Sequence, residues 1–423
     1  MAFKRRDFLK LAAAGAGAAA LSACGAGGMT RAGKAHVVVV GGGFGGATTA
    51  KYLRMWGSGI EVTLIERNPN FISCPTSNLI LGGTRTLAEN TFGYDTLRDK
   101  YGIKILHAEV LAVDAAKQTV TTTSGVVHYD RLVLSPGIDF MYDSLPNLRD
   151  AAAQAQIPHA WKAGEQTVNL RKQLEAMRDG GVYVLSIPKA PYRCPPGPYE
   201  RACQVAFYLK NHKPKSKVIV LDANPEITSK KGLFTKAWAD LYPGIVDYRP
   251  NNEAQSVDVA TRTIVTEFDK VKADVLNVVP PQKAGAVADH AGIVNIDGRW
   301  CGVDFLTYES TVHRNIHVIG DSIAAALPKS GHMANQTGKI CAGAIVSLVN
   351  GDPVYKTPKF ANTCYSFVSD KEAVNVAGVY RYDAEKKTML GIKESTGVSN
   401  TASEIEGAYA FAWANNIWSD MLK

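Results

Sequence analysis

The chain has 423 residues, 46% of them hydrophobic and 20% charged, which is too long for one ordinary core and predicts two or three domains. Its formal charge of +8 lies partly in Lys4, Arg5, Arg6 and Lys10, and no basic run with interleaved aromatics follows, which argues against nucleic-acid binding. The seven cysteines, at positions 24, 74, 194, 203, 301, 341 and 364, form no Cys-x-x-Cys pair, no zinc pattern and no Cys-x-x-Cys-His haem motif, so no metal site is predicted.

Residues 1–32 read as an address and linker. Lys4-Arg5-Arg6-Asp7-Phe8-Leu9-Lys10 precedes an Ala/Gly-rich run to Ala23, the pattern of a twin-arginine signal. Export to the periplasm is therefore expected. Leu21-Ser22-Ala23-Cys24 resembles a lipobox as well as a plain cleavage site, so membrane tethering is expected only if Cys24 is lipidated. No other stretch reaches the ~18 apolar residues needed to cross a bilayer.

His36-Val37-Val38-Val39-Val40 predicts a strand buried on both faces. It enters Gly41-Gly42-Gly43-Phe44-Gly45-Gly46 and a helical stretch from Ala47 to Trp56. In such a GxGxxG turn, Gly41 permits the tight bend, Gly43 lets the backbone approach a pyrophosphate, and Gly46 lets helix and strand pack closely. A second strand, Ile60 to Ile65, ends at Glu66, about 20 positions after Gly46, where an acid binds a ribose hydroxyl. An acid here favours FAD or NAD over NADP. Tyr129 to Gly137 closes residues 33–150, the first part of an FAD-binding domain.

Residues 151–280 read as a second Rossmann-like domain. Gly181 to Ile187 predicts its first strand, a helix runs from about Arg201 to Asn211, and Lys217 to Leu221 is the next strand. The loop between strand and helix, Pro188 to Glu200, is proline-rich where a nicotinamide site needs glycines. Prolines remove N–H donors and restrict φ, so a small electron donor is expected instead of NADH.

Residues 281–351 return to the FAD domain. Ile316-His317-Val318-Ile319-Gly320-Asp321 is similar to the late motif of flavoproteins with two dinucleotide folds, in which the aspartate binds the ribityl chain of FAD. A helix from about Met333 to Val349 follows Leu327-Pro328-Lys329-Ser330-Gly331-His332. Its N-terminus would favour negative charge on the flavin. Residues 352–423 leave the Rossmann pattern: strands around Val374–Tyr382, then a helix-spaced aromatic stretch with Tyr409, Phe411, Trp413 and Trp418, which packs as core, lines the flavin, or meets a partner. The fold class expected is α/β, two Rossmann-like dinucleotide-binding domains plus a C-terminal α+β interface domain.

Six stretches carry a resemblance to the flavoprotein subunit of flavocytochrome c sulfide dehydrogenase. They are Cys74-Pro75-Thr76-Ser77-Asn78, Pro158 to Thr167, Arg193-Cys194-Pro195-Pro196-Gly197-Pro198-Tyr199-Glu200-Arg201, Pro280-Pro281-Gln282, Pro328-Lys329-Ser330-Gly331 and Asn362-Thr363-Cys364-Tyr365-Ser366. The resemblance spans Val37 to Trp418. It implies a thioether from Cys74 to the flavin, although Pro75 and Thr76 depart from the bulkier neighbours of the family pattern. It implies a redox-active disulfide between Cys194 and Cys364, with Cys194 nearer the entering sulfide and Cys364 nearer the flavin. Sulfide attack on a disulfide gives a persulfide and a free thiolate. Glu200 matches the family's acid/base residue, and it also suits a helix N-terminus. Lys329 and Gly320-Asp321 fall in flavin-contacting segments. The expected acceptor is a c-type cytochrome subunit or a soluble cytochrome c. A sulfide:quinone oxidoreductase shares fold, FAD and paired cysteines, and a flavin-bearing accessory module of sulfur oxidation is a third reading. Cys203 and Cys341 read as packing thiols, and Cys301 has no assigned role.

Overall fold

A computed structural model describes residues 34–423. The twin-arginine motif and Cys24 lie outside the described residues.

The first layer is a five-stranded parallel sheet in the order Ile316–Val318, Arg131–Leu134, Ala35–Val40, Ile60–Ile65, Lys104–Leu106. Its central strand is β-branched, and Val37, Val38 and Val39 are fully buried, each contributing about 1.5–3 kcal/mol of transfer free energy. Helix Phe44–Trp56 packs against helix Gly331–Asn350 on this sheet. Both helices begin earlier than predicted. Phe44, Gly45 and Gly46 already form the first turn, and Ser330 caps the second helix by accepting from the Met333 N–H at 3.1 Å. A side-chain cap of this kind makes the following glycine a workable first residue.

The glycine turn explains itself sterically. Gly41 has φ 96°, and a Cβ on it would lie 2.4 Å from the Ser135 carbonyl oxygen; a Cβ on Gly46 would lie 1.8 Å from the Gly41 oxygen. A Cβ on Gly43 would meet nothing within 4 Å, so that glycine faces open space where a ligand's backbone approach is expected.

A second parallel sheet has the order Val246–Arg249, Lys217–Asp222, Val182–Ile187, Val275–Val278. Helix Gly197–His212 follows its first strand. This helix also starts earlier than expected, because Pro198 is tolerated in a first turn that leaves its N–H groups unpaired anyway. Glu200 therefore sits within the helix. Asp222, the acid at the tip of the second strand, is fully buried. It accepts from Tyr199 Oη at 2.8 Å and Tyr248 Oη at 2.9 Å, and Tyr192 Oη lies 3.5 Å from Tyr199 Oη.

The C-terminal part is an antiparallel sheet, Lys359–Phe367, Ala373–Asp383 and Thr388–Gly391, with Gly397–Val398 pairing to the middle strand. Helix Glu404–Leu422 lies across it and reaches back to the first sheet's helices. The aromatic stretch divides its labour. Trp418 is buried and donates to Ser73 Oγ at 3.0 Å, Phe411 packs on Phe367, Tyr409 is exposed, and Trp413 faces the cavity described next. No helix among the described residues is long and apolar enough to cross a membrane.

Candidate functional site

A cavity of about 740 Å³ opens between the two parallel sheets and the C-terminal sheet, within the range of pockets that hold cofactor-sized ligands. Gly43, Glu66, Cys74, Cys194, Glu200, Gly320, Asp321 and Cys364 all line it. Gly41 and Gly46 stand behind the turn. Lys329 points the other way. Its Nζ donates to the carbonyls of Asp321 at 2.7 Å and Ile323 at 2.9 Å and sits 3.7 Å from the centre of the Trp300 ring. It braces the Asp321 loop from outside the cavity, and burial lowers its pKa to about 8.

The residues fit FAD on three observations. Gly43 leaves open space. Glu66 accepts from the Gly42 N–H at 2.7 Å at the cavity edge, which holds the acid in the ribose position. Asp321 Oδ1 is buried with no hydrogen-bond partner among the described residues. An orphaned buried carboxylate oxygen is costly, burial pushes its pKa up, and a ribityl hydroxyl would satisfy it. The long helix Gly331–Asn350 directs its N-terminus at the same cavity.

The cysteines come from three separate segments. Cys194 is held at φ 61°, a strained conformation for a residue with a Cβ. Its N–H donates to the Lys329 carbonyl at 2.7 Å, which ties the cysteine turn to the segment that leads into helix Gly331–Asn350, and its own carbonyl accepts from the Gly197 N–H at 2.8 Å. A Cβ on Gly197 would lie 2.8 Å from Cys194 Sγ, so only glycine leaves the thiol room. Cys364 lies on strand Lys359–Phe367. Asn362 Nδ2 donates to its Sγ at 3.5 Å, and Asn362 Oδ1 accepts from Ser330 Oγ at 2.8 Å. Cys194 and Cys364 are free thiols here, and both line the cavity. Cys74 Sγ receives the Ala163 N–H and Arg193 Nη2, each at 3.5 Å.

Glu200 joins two of these segments. Its Oε1 accepts from the Phe367 N–H at 2.8 Å, beside the Cys364 strand, and its Oε2 from Asn78 Nδ2 at 2.9 Å, beside the Cys74 loop. Burial pushes the carboxyl up despite those donors. Burial, then Glu200, then Cys364 push the Cys194 thiol up. Burial thus disfavours charge on both the acid and the thiol.

Sequence reasoning missed the residues that hold this wall. Arg201 is buried and donates to Asn78 Oδ1 at 3.1 Å, His159 O at 2.9 Å, Ala160 O at 2.6 Å and Asn277 Oδ1 at 2.9 Å, over the Trp161 ring at 4.8 Å. The only signal was its place at the end of the Cys194 stretch. Arg201→Met leaves several buried acceptors short of a donor, each worth about 1–3 kcal/mol. A loss of at least ~3 kcal/mol is expected in urea unfolding, and a change below ~1 kcal/mol would refute it. Lys230 was missed entirely. Its Nζ donates to the Cys364 carbonyl at 2.9 Å. Cys203, Cys301 and Cys341 are fully buried, and Cys203 Sγ accepts from Trp238 Nε1 at 3.2 Å.

Comparison with known proteins agrees with this architecture. The family described as pyridine nucleotide-disulphide oxidoreductase matches residues 35–169. The family described as sulfide dehydrogenase [flavocytochrome c] flavoprotein chain, central, matches residues 167–280, and the flavocytochrome c sulphide dehydrogenase flavin-binding family matches residues 356–422. The chain is 58% identical over 48 residues, 11% of its length, to the whole of a sulfide dehydrogenase [flavocytochrome c] flavoprotein chain from Chlorobaculum thiosulfatiphilum. It is 24% identical, over 78% of this chain and 80% of the relative, to a sulfide-quinone reductase of Aquifex aeolicus (strain VF5). The solved sulfide:quinone oxidoreductase of Aquifex aeolicus superposes with a TM-score of 0.75 over 91% of both chains at 21% identity, which speaks to the fold. Glycine turn, ribose acid, orphaned aspartate and these matches together make the chain an FAD-dependent oxidoreductase, and it belongs to the family of the sulfide dehydrogenase [flavocytochrome c] flavoprotein chain.

Proposed function

We propose that this protein is an exported sulfide dehydrogenase flavoprotein, in which sulfide reduces a disulfide between Cys194 and Cys364 and the electrons leave through FAD to a c-type cytochrome. The observation that carries the reading is the convergence of Cys194, Cys364 and Glu200 on the cavity that Gly43, Glu66 and Asp321 also line. HS⁻ attacks Cys194 Sγ, the S–S bond breaks, a persulfide forms on Cys194, and Cys364 leaves as a thiolate carrying the electron pair. Glu200, whose carboxyl burial pushes up, lines the same cavity as both cysteines and is placed to exchange a proton with the sulfur chemistry. Trp161 closes one side: its Nε1 donates to the Arg193 carbonyl at 3.0 Å, fixing the loop that presents Cys194. Bound FAD takes electrons in pairs and releases them singly, which suits a one-electron haem acceptor. In this reading Cys74 carries the flavin as a thioether, with Arg193 Nη2 and the Ala163 N–H directed at its sulfur, and residues 1–32 direct export by the twin-arginine route.

A second acceptor is favoured by one observation, the likeness to a sulfide-quinone reductase over most of the chain. Steady-state sulfide oxidation with cytochrome c and with a soluble quinone separates the two. Cytochrome c reduction at least ~10-fold faster is expected; a preference for quinone would replace the cytochrome in this scheme.

A further inference from the structure

Lys230 precedes helix Lys231–Leu241 with a left-handed backbone, φ 57° and ψ 36°. This conformation is sterically unfavourable for a residue with a Cβ. Residues held this way gather at functional sites when surrounding contacts over-determine them. Here the contacts come from another part of the molecule. Lys230 Nζ leaves its own helix and donates to the Cys364 carbonyl at 2.9 Å, Ser366 Oγ at 2.8 Å and the Val374 carbonyl at 3.4 Å. Three N–H donors meet three acceptors, so the ammonium is fixed on the strand that carries Cys364.

The groups facing it are those of the sulfur chemistry. Cys364, Glu200 and Cys194 act on its charge, in that order, with Glu406 on helix Glu404–Leu422 a weaker fourth. The Phe234 ring lies 5.9 Å away. Among the described residues no carboxylate forms an ion pair with it, whereas its neighbour Lys231 pairs with Glu226 at the surface. A half-buried ammonium held by neutral acceptors, beside two thiols, is a charge without a permanent counter-ion.

We infer that Lys230 is a positioning residue for the disulfide step: its fixed ammonium holds the negative charge that reaches Cys364 Sγ when sulfide opens the Cys194–Cys364 bond. The inference rests on the disulfide chemistry proposed above. The incoming HS⁻ brings one negative charge and one electron pair. The pair forms the new S–S bond at Cys194, the old S–S bond breaks, and its pair leaves on Cys364. Charge therefore moves from the entering sulfur to the leaving sulfur, on the strand whose Cys364 carbonyl receives the ammonium. A cation fixed on the same strand offsets this and stabilises the reduced state, which makes a disulfide a stronger oxidant. Burial lowers the Lys230 pKa to about 8. The charge is present below that pH and is lost as pH rises through it.

The test uses the full-length, flavin-loaded protein with Lys230→Met, Lys230→Gln and Lys230→Arg. Two quantities are read. One is the equilibrium of the cysteine pair with dithiothreitol, followed by thiol-labelling mass shift. The other is the pH profile of flavin bleaching by sulfide. Met and Gln are each expected to make the disulfide at least ~10-fold harder to reduce, about 30 mV for a two-electron couple. They should also slow bleaching ~10-fold and remove the alkaline limb near pH 8. Arg should stay within ~3-fold and move that limb upward. If Lys230→Met does not fold, Lys230→Gln, which keeps a donor for the Cys364 carbonyl, decides alone. Uncharged variants with the wild-type equilibrium and pH profile would overturn the inference. A wild-type protein in which residues 194 and 364 never form a reversible disulfide would instead overturn the function on which it rests.

Discussion

Replacing Cys364 by serine is expected to stop sulfide from bleaching the bound flavin, with the rate falling roughly 10³-fold or more, as when a member of a catalytic unit is removed. The change is nearly isosteric. The backbone carbonyl that receives Lys230 Nζ remains, as does the Asn362 contact with Ser330, the residue that caps helix Gly331–Asn350. Bleaching by dithionite, which needs no disulfide, should be unchanged, and the two measurements separate lost chemistry from lost flavin. Cys194→Ala should match it, because either sulfur alone cannot form the bond that sulfide attacks. A variant that still bleaches with sulfide within ~10-fold of wild type would remove the disulfide from the mechanism.

Cys74→Ser is expected to convert all of the flavin from acid-stable to acid-extractable. The thiol lies on the cavity wall, where the Ala163 N–H and the Arg193 guanidinium both point at Sγ. Gly43, Glu66 and Asp321 remain, so the variant should still bind FAD and stay yellow. Intact mass after acid precipitation reads the outcome directly, with the wild type heavier than the variant by one flavin nucleotide. A wild type that itself releases its flavin in acid would remove the thioether.

The first nucleotide unit was legible because its signals are steric. A β-branched strand, three glycines at fixed offsets and an acid at the next strand's end each follow from close backbone packing, and Gly41, Gly46 and Glu66 take up those places. The helix starts were not legible. Gly45, Gly46, Gly197 and Pro198 look like loop residues, yet a first helical turn tolerates them because its N–H groups have no intrahelical partners. That Cys194 and Cys364 belong together came from resemblance, since nothing local links residues so distant in the chain. Glu200 was read as a helix-end acid or a proton carrier; its side chain also joins the Asn78 and Phe367 segments, which no spacing reveals. Lys230 had no signal at all. Between Ser229 and Lys231 it looks like any solvated lysine, and its meaning comes from a strand more than a hundred positions later.

The enclosed Asp222 has a consequence for any attempt to rewire the enzyme to a pyridine nucleotide. Grafting a glycine turn over Pro188–Pro196 would supply only the pyrophosphate seat. The carboxylate that must then grip an adenosine ribose already serves two phenols in the domain's interior, and Tyr199 is itself fully buried beside Phe234 and Trp238. Freeing that acid means dismantling a packed aromatic cluster, so the core opposes a nucleotide ribose at this strand tip as firmly as the proline loop opposes its pyrophosphate, and an engineered nicotinamide site would trade stability for a donor.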